Sequence, residues 1–276
     1  MFVSPMLLQS NPVPPDDEKE WITELKLDGH RMILSRFDGK TTLYTRHNNN
    51  VTLMYPEIAS IDIKDGTILD GELIALDSNG KPDFEMLQLR SRSKKLINSV
   101  NIQFVAFDIL YHGNEKVMFK PLTLRKELIP TVIPNDQHFV VAHNYIEGNA
   151  ATYFDLVSKM DLEGIVVKNP NSLYKKNTRS KEWLKVINYS YEEVFLSGYR
   201  KDDFGILAVD ENGKCLGTIE HMGIPARKEF YKKAKDLITG EDKKYVYIKP
   251  TLKCKVKYRN LTKNGLLRIP VFMEWL

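Results

Sequence analysis

Cysteine is nearly absent: 276 residues hold only Cys215 and Cys254. Two isolated thiols without metal-ligand spacing make neither a disulfide framework nor a zinc site, and they suit a reducing compartment. Both read as packing residues. Long apolar runs are lacking as well. No stretch approaches the ~20 uncharged apolar residues a membrane span needs, and Met1-Phe2-Val3-Ser4-Pro5 lacks the basic start and apolar run of a signal peptide. A cytoplasmic location with no membrane partner is therefore expected. The six histidines have no metal-binding spacing and are taken as structural or solvent-facing. Internal repeats and low-complexity segments are missing too.

What is present suffices for one large or two ordinary domains, because 42% of the residues are hydrophobic and can build real cores. The formal net charge is only +4, but it is unevenly placed: from Asn188 to Leu276 there are 17 Lys and Arg against 12 Asp and Glu. Such an excess draws polyanions, although a lysine-rich solubilising surface accounts for it as well.

Pro5, Pro12, Pro14 and Pro15, with the acidic run Asp16-Asp17-Glu18, make an irregular lead-in. Residues 21–26 alternate as a strand. Asp28-Gly29 turns it toward a second strand at 31–36, and 37–40 turns again into 41–46, which predicts a meander with Lys26 near the end of its first strand. Residues 68–76 form an apolar strand interrupted by Asp70 and Glu72, and buried carboxylates are costly unless used or paired. Residues 82–99 have helical character and a basic run at Arg90, Arg92, Lys94 and Lys95. Residues 102–110 read as a core strand with the single carboxylate Asp108. Helices are expected at 121–128 and 150–160, and strands at 139–143, 165–167 and 183–187, giving a mixed part with antiparallel strands. Beyond a linker near 187–191 short strands dominate (194–199, 204–209, 215–220, 245–248 and 251–258) around one basic helix at 226–237. That texture suggests a small barrel of the oligonucleotide/oligosaccharide-binding (OB) type. The fold class expected is α+β, followed by a small all-β barrel.

The stretch richest in chemistry is Glu24-Leu25-Lys26-Leu27-Asp28-Gly29-His30-Arg31. A free lysine titrates near ~10.4, so Lys26 can be a nucleophile only in surroundings that strip its proton. A Lys-x-Asp-Gly turn alone is weak, since Asp-Gly is an ordinary hairpin signal. On pattern alone Phe107 reads as core, Asp70 as a turn cap, and Asp108 with Arg179 as an ion pair. Glu163 and Lys168 bracket an apolar strand at the end of a helix and invite a polar cleft.

Glu24-x-Lys26-x-Asp28-Gly29-x-Arg31 resembles the nucleotidyl-lysine motif of the covalent nucleotidyltransferases, which include ATP-dependent DNA ligases, RNA ligases and mRNA capping enzymes. The family's order continues in Thr45-Arg46, Asp70-Gly71-Glu72, Phe107-Asp108, Glu163-Gly164-Ile165-Val166-Val167-Lys168 and Trp183-Leu184-Lys185. Six partial matches in order, spread over most of the first 187 residues, are strong where each alone is not. With residues 262–272, the chain is most similar to compact bacterial and phage ATP-dependent DNA ligases.

That resemblance implies an ATP-grasp-like nucleotidyltransferase (adenylation) domain at 1–187 and an OB-fold domain at 188–276. It implies a monomeric enzyme of a bacterial or phage-infected cell that seals nicks in duplex DNA, with ATP as AMP donor and Mg²⁺, or Mn²⁺ in its place, as metal. Lys26 would be the nucleophile, with Asp28, Lys168 and Lys185 as further catalytic residues; Lys168, Lys185 and the metal would depress the pKa of Lys26 by like charge. Glu24 would accept from the adenine amino group and Phe107 would stack on the purine. Arg31, Arg46 and Glu72 would contact ribose and phosphate, with Arg179 as the basic residue before the last strand. Glu163, Glu72 and Asp28, the last through water, would hold the metal. Backbone contacts to DNA are expected from the basic barrel and from Arg90, Arg92, Lys94 and Lys95. Two departures stand out. Ile187 occupies the place of a second lysine, a task left to Lys181 or Arg179. No basic Arg-x-Asp-Lys tail is found, which leaves Arg268 or Lys263 as candidates. An RNA ligase or capping-type nucleotidyltransferase is the alternative enzyme, and a non-catalytic nucleic-acid-binding OB protein the alternative of another class. The intact Lys26, Glu72, Glu163 and Lys185 argue against the latter. NAD⁺-dependent ligation is not expected, because the stretch before Lys26 is too short for a nicotinamide-binding segment.

Overall fold

Residues 1–16, 21–93, 100–133 and 138–276 are described in the computed structural model of the chain, which divides into units Met1–Ile187 and Asn188–Leu276. The first unit runs β1 (Leu7–Ser10), β2 (Ile22–Leu25), β3 (His30–Phe37), β4 (Lys40–Thr45), α1 (Pro56–Ala59), β5 (Thr67–Leu76), α2 (Phe84–Arg92) and β6 (Asn101–His112). It continues through β7 (Glu115–Lys116), α3 (Leu122–Leu128), β8 (Val140–Ala142), β9 (Ile146–Glu147), α4 (Ala150–Lys159), β10 (Gly164–Lys168) and β11 (Arg179–Ile187). One sheet has the order β1-β11-β10-β2-β9; the other has β4-β3-β5-β6-β7 with β8 beside β6.

Alternation along the strands decides what each face does, because successive side chains point to opposite sides. Met32, Leu34, Leu69 and Leu73 face one cluster with Ile58 and Leu87 of α1 and α2. Ile165, Val167, Leu184 and Val186 face another with Ala150 and Val157 of α4. The opposite faces of the two sheets share a third cluster, in which Ile22, Ile33, Ile68, Leu110 and Trp183 meet. Of the charged residues singled out from the sequence, Glu24, Arg31, Glu72, Lys168 and Lys185 lie on that shared side, interleaved with it at two-residue spacing.

Of the expected three-strand meander only the β3–β4 hairpin forms. β2 pairs with β10 and β9, whereas β3 pairs with β4 and β5 in the other sheet. Asp28-Gly29 is thus the crossing between sheets, not a hairpin turn. Gly29 permits it by lacking a Cβ, which would lie 2.3 Å from the Leu73 carbonyl oxygen and 2.8 Å from Glu72 Cγ. In the predicted 82–99 helix, α2 is capped by Asp83, which accepts from the Met86 amide at 2.9 Å; Lys94 and Lys95 fall outside the described residues.

The second unit runs β12 (Ser190–Arg200), β13 (Ile206–Val209), β14 (Cys215–Ile219), α5 (Ile224–Ala234), β15 (Ile238–Glu241), β16 (Tyr245–Tyr258) and β17 (Val271–Trp275). Its antiparallel sheet has the order β14-β13-β12-β16-β15, with β17 also on β16. Val194, Leu196, Ile206, Phe230, Cys254 and Val256 form its core. The two strands expected at 245–248 and 251–258 are one: the pairing of β12 with β16 jumps from Gly198↔Tyr247 to Leu196↔Leu252, stepping over Pro250, which has no amide to donate. Cys254 is buried, but Cys215 is exposed and so is not a packing residue. Among the described residues no helix is long and apolar enough to cross a membrane. The architecture is mixed α+β and sheet-rich.

Candidate active site

The shared side of the two sheets is not filled by apolar groups throughout, and it leaves a cavity of about 620 Å³ within the first unit. Glu24, Lys26, Arg31, Arg46, Glu72, Phe107, Lys168, Arg179 and Lys185 all line it. They arrive by parity: Glu24 and Lys26 follow Ile22, Lys168 follows Val166, and Lys185 follows Trp183.

At one end is Lys26. Its Nζ lies 2.9 Å from Glu163 Oε1 and 3.0 Å from Oε2. The backbone fixes this meeting, because the Lys26 amide donates to the Gly164 carbonyl at 2.9 Å. Gly164 has φ +142°, and a Cβ there would lie 2.1 Å from the Val186 carbonyl oxygen, so only glycine brings Glu163 into place. Burial alone would lower the Lys26 pKa, but Glu163, Glu72 and Asp28 outweigh it, and the pKa lies above the ordinary lysine value. Burial pushes Glu72 up to about 8, against the opposing pull of Lys26 and Arg31. Lys185 is lowered by burial and then by repulsion from Lys26, with Glu163 opposing and Arg179 and Arg46 adding to it. Arg179 also donates to the Leu8 carbonyl.

These contacts correct the expected electrostatics of the nucleophile. Lys26 is surrounded first by carboxylates, so its proton is held rather than stripped. Lys185 is one of its cationic neighbours, but Lys168 belongs to the other end of the cavity. There Lys168 Nζ lies 2.7 Å from Glu24 Oε2, 4.4 Å from the Phe107 ring centroid and 4.3 Å from that of Trp183. Burial pushes its pKa down to about 8, with Glu24 opposing and Lys126 adding. Glu24 is 2% exposed and also meets Lys126 at 2.5 Å and His143 at 3.6 Å. Burial would raise its pKa, yet Lys126, Lys168 and His143 together hold it well below the usual carboxylate range.

Asp70 is not a turn cap. It lies within β5, receives Arg31 through Nε at 2.9 Å and Nη2 at 2.5 Å, and accepts from the Tyr174 hydroxyl at 2.6 Å. Arg31 in turn stands 5.1 Å from the centroid of Phe107, so Phe107 is a half-buried platform between charges, not plain core. Asp108 does not pair with Arg179. Both its oxygens lie 2.8 Å from Arg125 nitrogens, and both side chains are fully buried. Arg90, expected on DNA, is 2% exposed, paired with Glu57 at 3.1 Å and set against the Tyr55 ring; Arg92 is exposed. Ile187 is half-buried opposite Gly164.

Sequence reasoning passed over Lys126, His143, Arg125 and Tyr174. For Lys126 a signal existed: Leu122 and Ile129 stand four before and three after it, which puts it on the buried stripe of its helix. His143 carried no comparable signal.

Among the described residues no group of three potential ligands is gathered into a metal site by the protein alone. The donor chemistry still fits a shared ion: Mg²⁺ takes oxygen ligands and is commonly held by one or two carboxylates plus substrate phosphates. Glu163 and Glu72, converging on Lys26, are such carboxylates.

Residues 5–186 match the family model described as ATP dependent DNA ligase domain. The chain is 46% identical to the SPbeta prophage-derived DNA ligase-like protein LigB of Bacillus subtilis, over all of this chain and 99% of that protein. It is 26% identical to the multifunctional non-homologous end joining protein LigD of Mycolicibacterium smegmatis over 97% of its own length, but spans only 37% of LigD. A solved structure of mycobacterial DNA ligase D complexed with ATP and MES superposes with a TM-score of 0.63 at 25% identity, covering 99% of this chain and 95% of that one. A Lig E DNA ligase structure, at 17% identity, shares the fold with a TM-score of 0.69 over the full length of both chains. The chain belongs to the ATP-dependent DNA ligase domain family, whose members join DNA through a lysyl-AMP intermediate.

Proposed function

We propose that the chain seals nicks in duplex DNA in three displacements at phosphorus. Lys26 Nζ attacks the α-phosphorus of ATP, forming a phosphoramidate while pyrophosphate leaves. An oxygen of the 5′-phosphate at the nick then attacks the same phosphorus, and the amine departs. Finally the 3′-hydroxyl attacks the activated 5′-phosphorus, closing the strand and releasing AMP. The observation that carries this reading is the convergence of Glu163, Glu72 and Lys185 on Lys26 at the wall of a nucleotide-sized cavity.

Lys26 acts once its ammonium is released from Glu163 and has passed its proton to solvent, because only the free amine carries the lone pair that bonds to phosphorus. Lys185 and Arg46, both lining the cavity, are suited to neutralise charge growing on the phosphate oxygens. Mg²⁺ bound by Glu163, Glu72 and Asp28 would supply charge that competes with the Lys26 ammonium for the same carboxylates and screens the phosphates. At the other end Glu24 reads the base and Phe107 stacks on it, with Arg31, fixed by Asp70, at the ribose. Lys168 joins this base-reading end.

On this reading the first unit is the adenylation domain, the second an OB-fold module whose sheet closes as a barrel, and the enzyme a cytoplasmic monomer acting on nicked duplex DNA. The test is incubation with Mg²⁺ and α-labelled ATP or GTP, followed by nicked DNA and its nicked-RNA counterpart. Acid-labile label from ATP should appear on the protein and be absent in Lys26→Ala, and nicked DNA should be sealed. Label that persists in Lys26→Ala would overturn the assignment; preferential sealing of RNA would move the substrate class.

A further inference from the structure

We propose that Lys126 and His143 are positioning residues that hold the Glu24 carboxylate as acceptor for a purine 6-amino group, and thereby set the preference for ATP. The inference rests on the reading of Glu24 as the base-reading residue.

Each Glu24 oxygen is held by a different ammonium: Oε1 by Lys126 at 2.5 Å and Oε2 by Lys168 at 2.7 Å. The two cations are placed differently. Lys168 stands over Phe107 and belongs to the cavity lining, so a base stacked on that ring meets it directly. Lys126 comes from α3, is 6% exposed, does not line the cavity, and has the Tyr145 ring centroid 5.0 Å from its Nζ. It therefore stays behind the carboxylate whatever enters. His143 lies at the cavity wall, anchored by its amide donating to the Ala106 carbonyl at 2.7 Å.

An ionised carboxylate only accepts, and the two ammoniums stand at ion-pair distance without making a hydrogen bond to it, so its lone pairs remain for a further donor. A 6-amino purine offers it a donor, whereas a 6-oxo purine presents a lone pair to an anion. Without Lys126 the nearly inaccessible carboxylate would carry more of the cost of burial, drift toward its protonated form and become a donor as readily as an acceptor. The preference would then fade although Glu24 remained.

The test compares lysine labelling by ATP and by purine riboside triphosphate, which lacks only the 6-amino group, in the wild type, Lys126→Met, Lys126→Arg and His143→Ala. A hydrogen bond to a charged group predicts a wild-type kcat/KM ratio of about 10- to 100-fold in favour of ATP. In Lys126→Met that ratio should fall to within about threefold of unity, chiefly through KM for ATP, with His143→Ala intermediate and Lys126→Arg near the wild type. A merely structural Lys126 lowers both nucleotides together and leaves the ratio unchanged, which overturns the proposal. Should Lys126→Met melt before assay temperature, His143→Ala decides: a lowered ratio supports the assignment and an unchanged one overturns it. A wild-type ratio near one removes the base-reading role of Glu24 itself, an outcome separate from either.

Discussion

Between Glu72 and Lys26 the ligase site holds a carboxyl group pushed up to about 8 by burial next to an ammonium held above its ordinary value. For Glu72 the folded pKa exceeds the unfolded one, so the folded chain binds the extra proton between about pH 4.5 and 8. Stability contributed by that proton is full below this window and is lost as pH rises through it. Glu72→Gln should therefore melt near the wild type at pH 5 and progressively higher toward pH 8, by about 2–4 °C for each kcal/mol regained, while losing nucleotide transfer. Melting curves over that range check it; a pH-independent difference would contradict the assignment. Arg90→Ala gives the complementary case. It removes the partner of Glu57 and the cation over Tyr55, so it should cost about 2 kcal/mol in urea unfolding and leave DNA affinity unchanged.

At the scale of elements, α3 is tied down by Arg125, whose guanidinium bridges Asp108 in β6 and the carbonyls of Lys120 and Ser172. Arg125→Met leaves Asp108 buried without its counter-charge, which should cost about 3–5 kcal/mol in denaturant unfolding. Because Lys126 rides on the same helix, nucleotide selectivity should suffer with it. The junction between Glu163 and β10 is the other sensitive point. Gly164→Ala would push a Cβ into the Val186 carbonyl, so β10 would have to shift and the Lys26–Glu163 contact with it; labelling by ATP should drop by at least tenfold, about 1.4 kcal/mol of barrier.

For the whole molecule the prediction concerns salt. Contacts to the DNA backbone release counterions, so an enzyme that neutralises about six phosphates should lose roughly a thousandfold in affinity between 50 and 200 mM salt. Lysine labelling by ATP needs no DNA and should change far less over the same range. Equal sensitivity of the two steps would count against a separate, phosphate-based grip on the duplex by the basic residues of the second unit and Arg92.

Strand alternation and the order of the short charged motifs were determined by the sequence alone, because a two-residue period and a position along the chain are local properties. They sufficed to set out the charged motifs in order along their strands and to reveal the kinship with DNA ligases. Which cation serves which carboxylate was decided only in the tertiary structure. Glu24 meets Lys126 and His143 from distant segments, Asp108 chooses Arg125, and Lys26 meets carboxylates before ammoniums, since such pairings depend on how two sheets share one core. The Asp28-Gly29 crossing has the same origin: a local turn signal is identical in a hairpin and between sheets, and only the competing pairing of β2 with β10 selects the second.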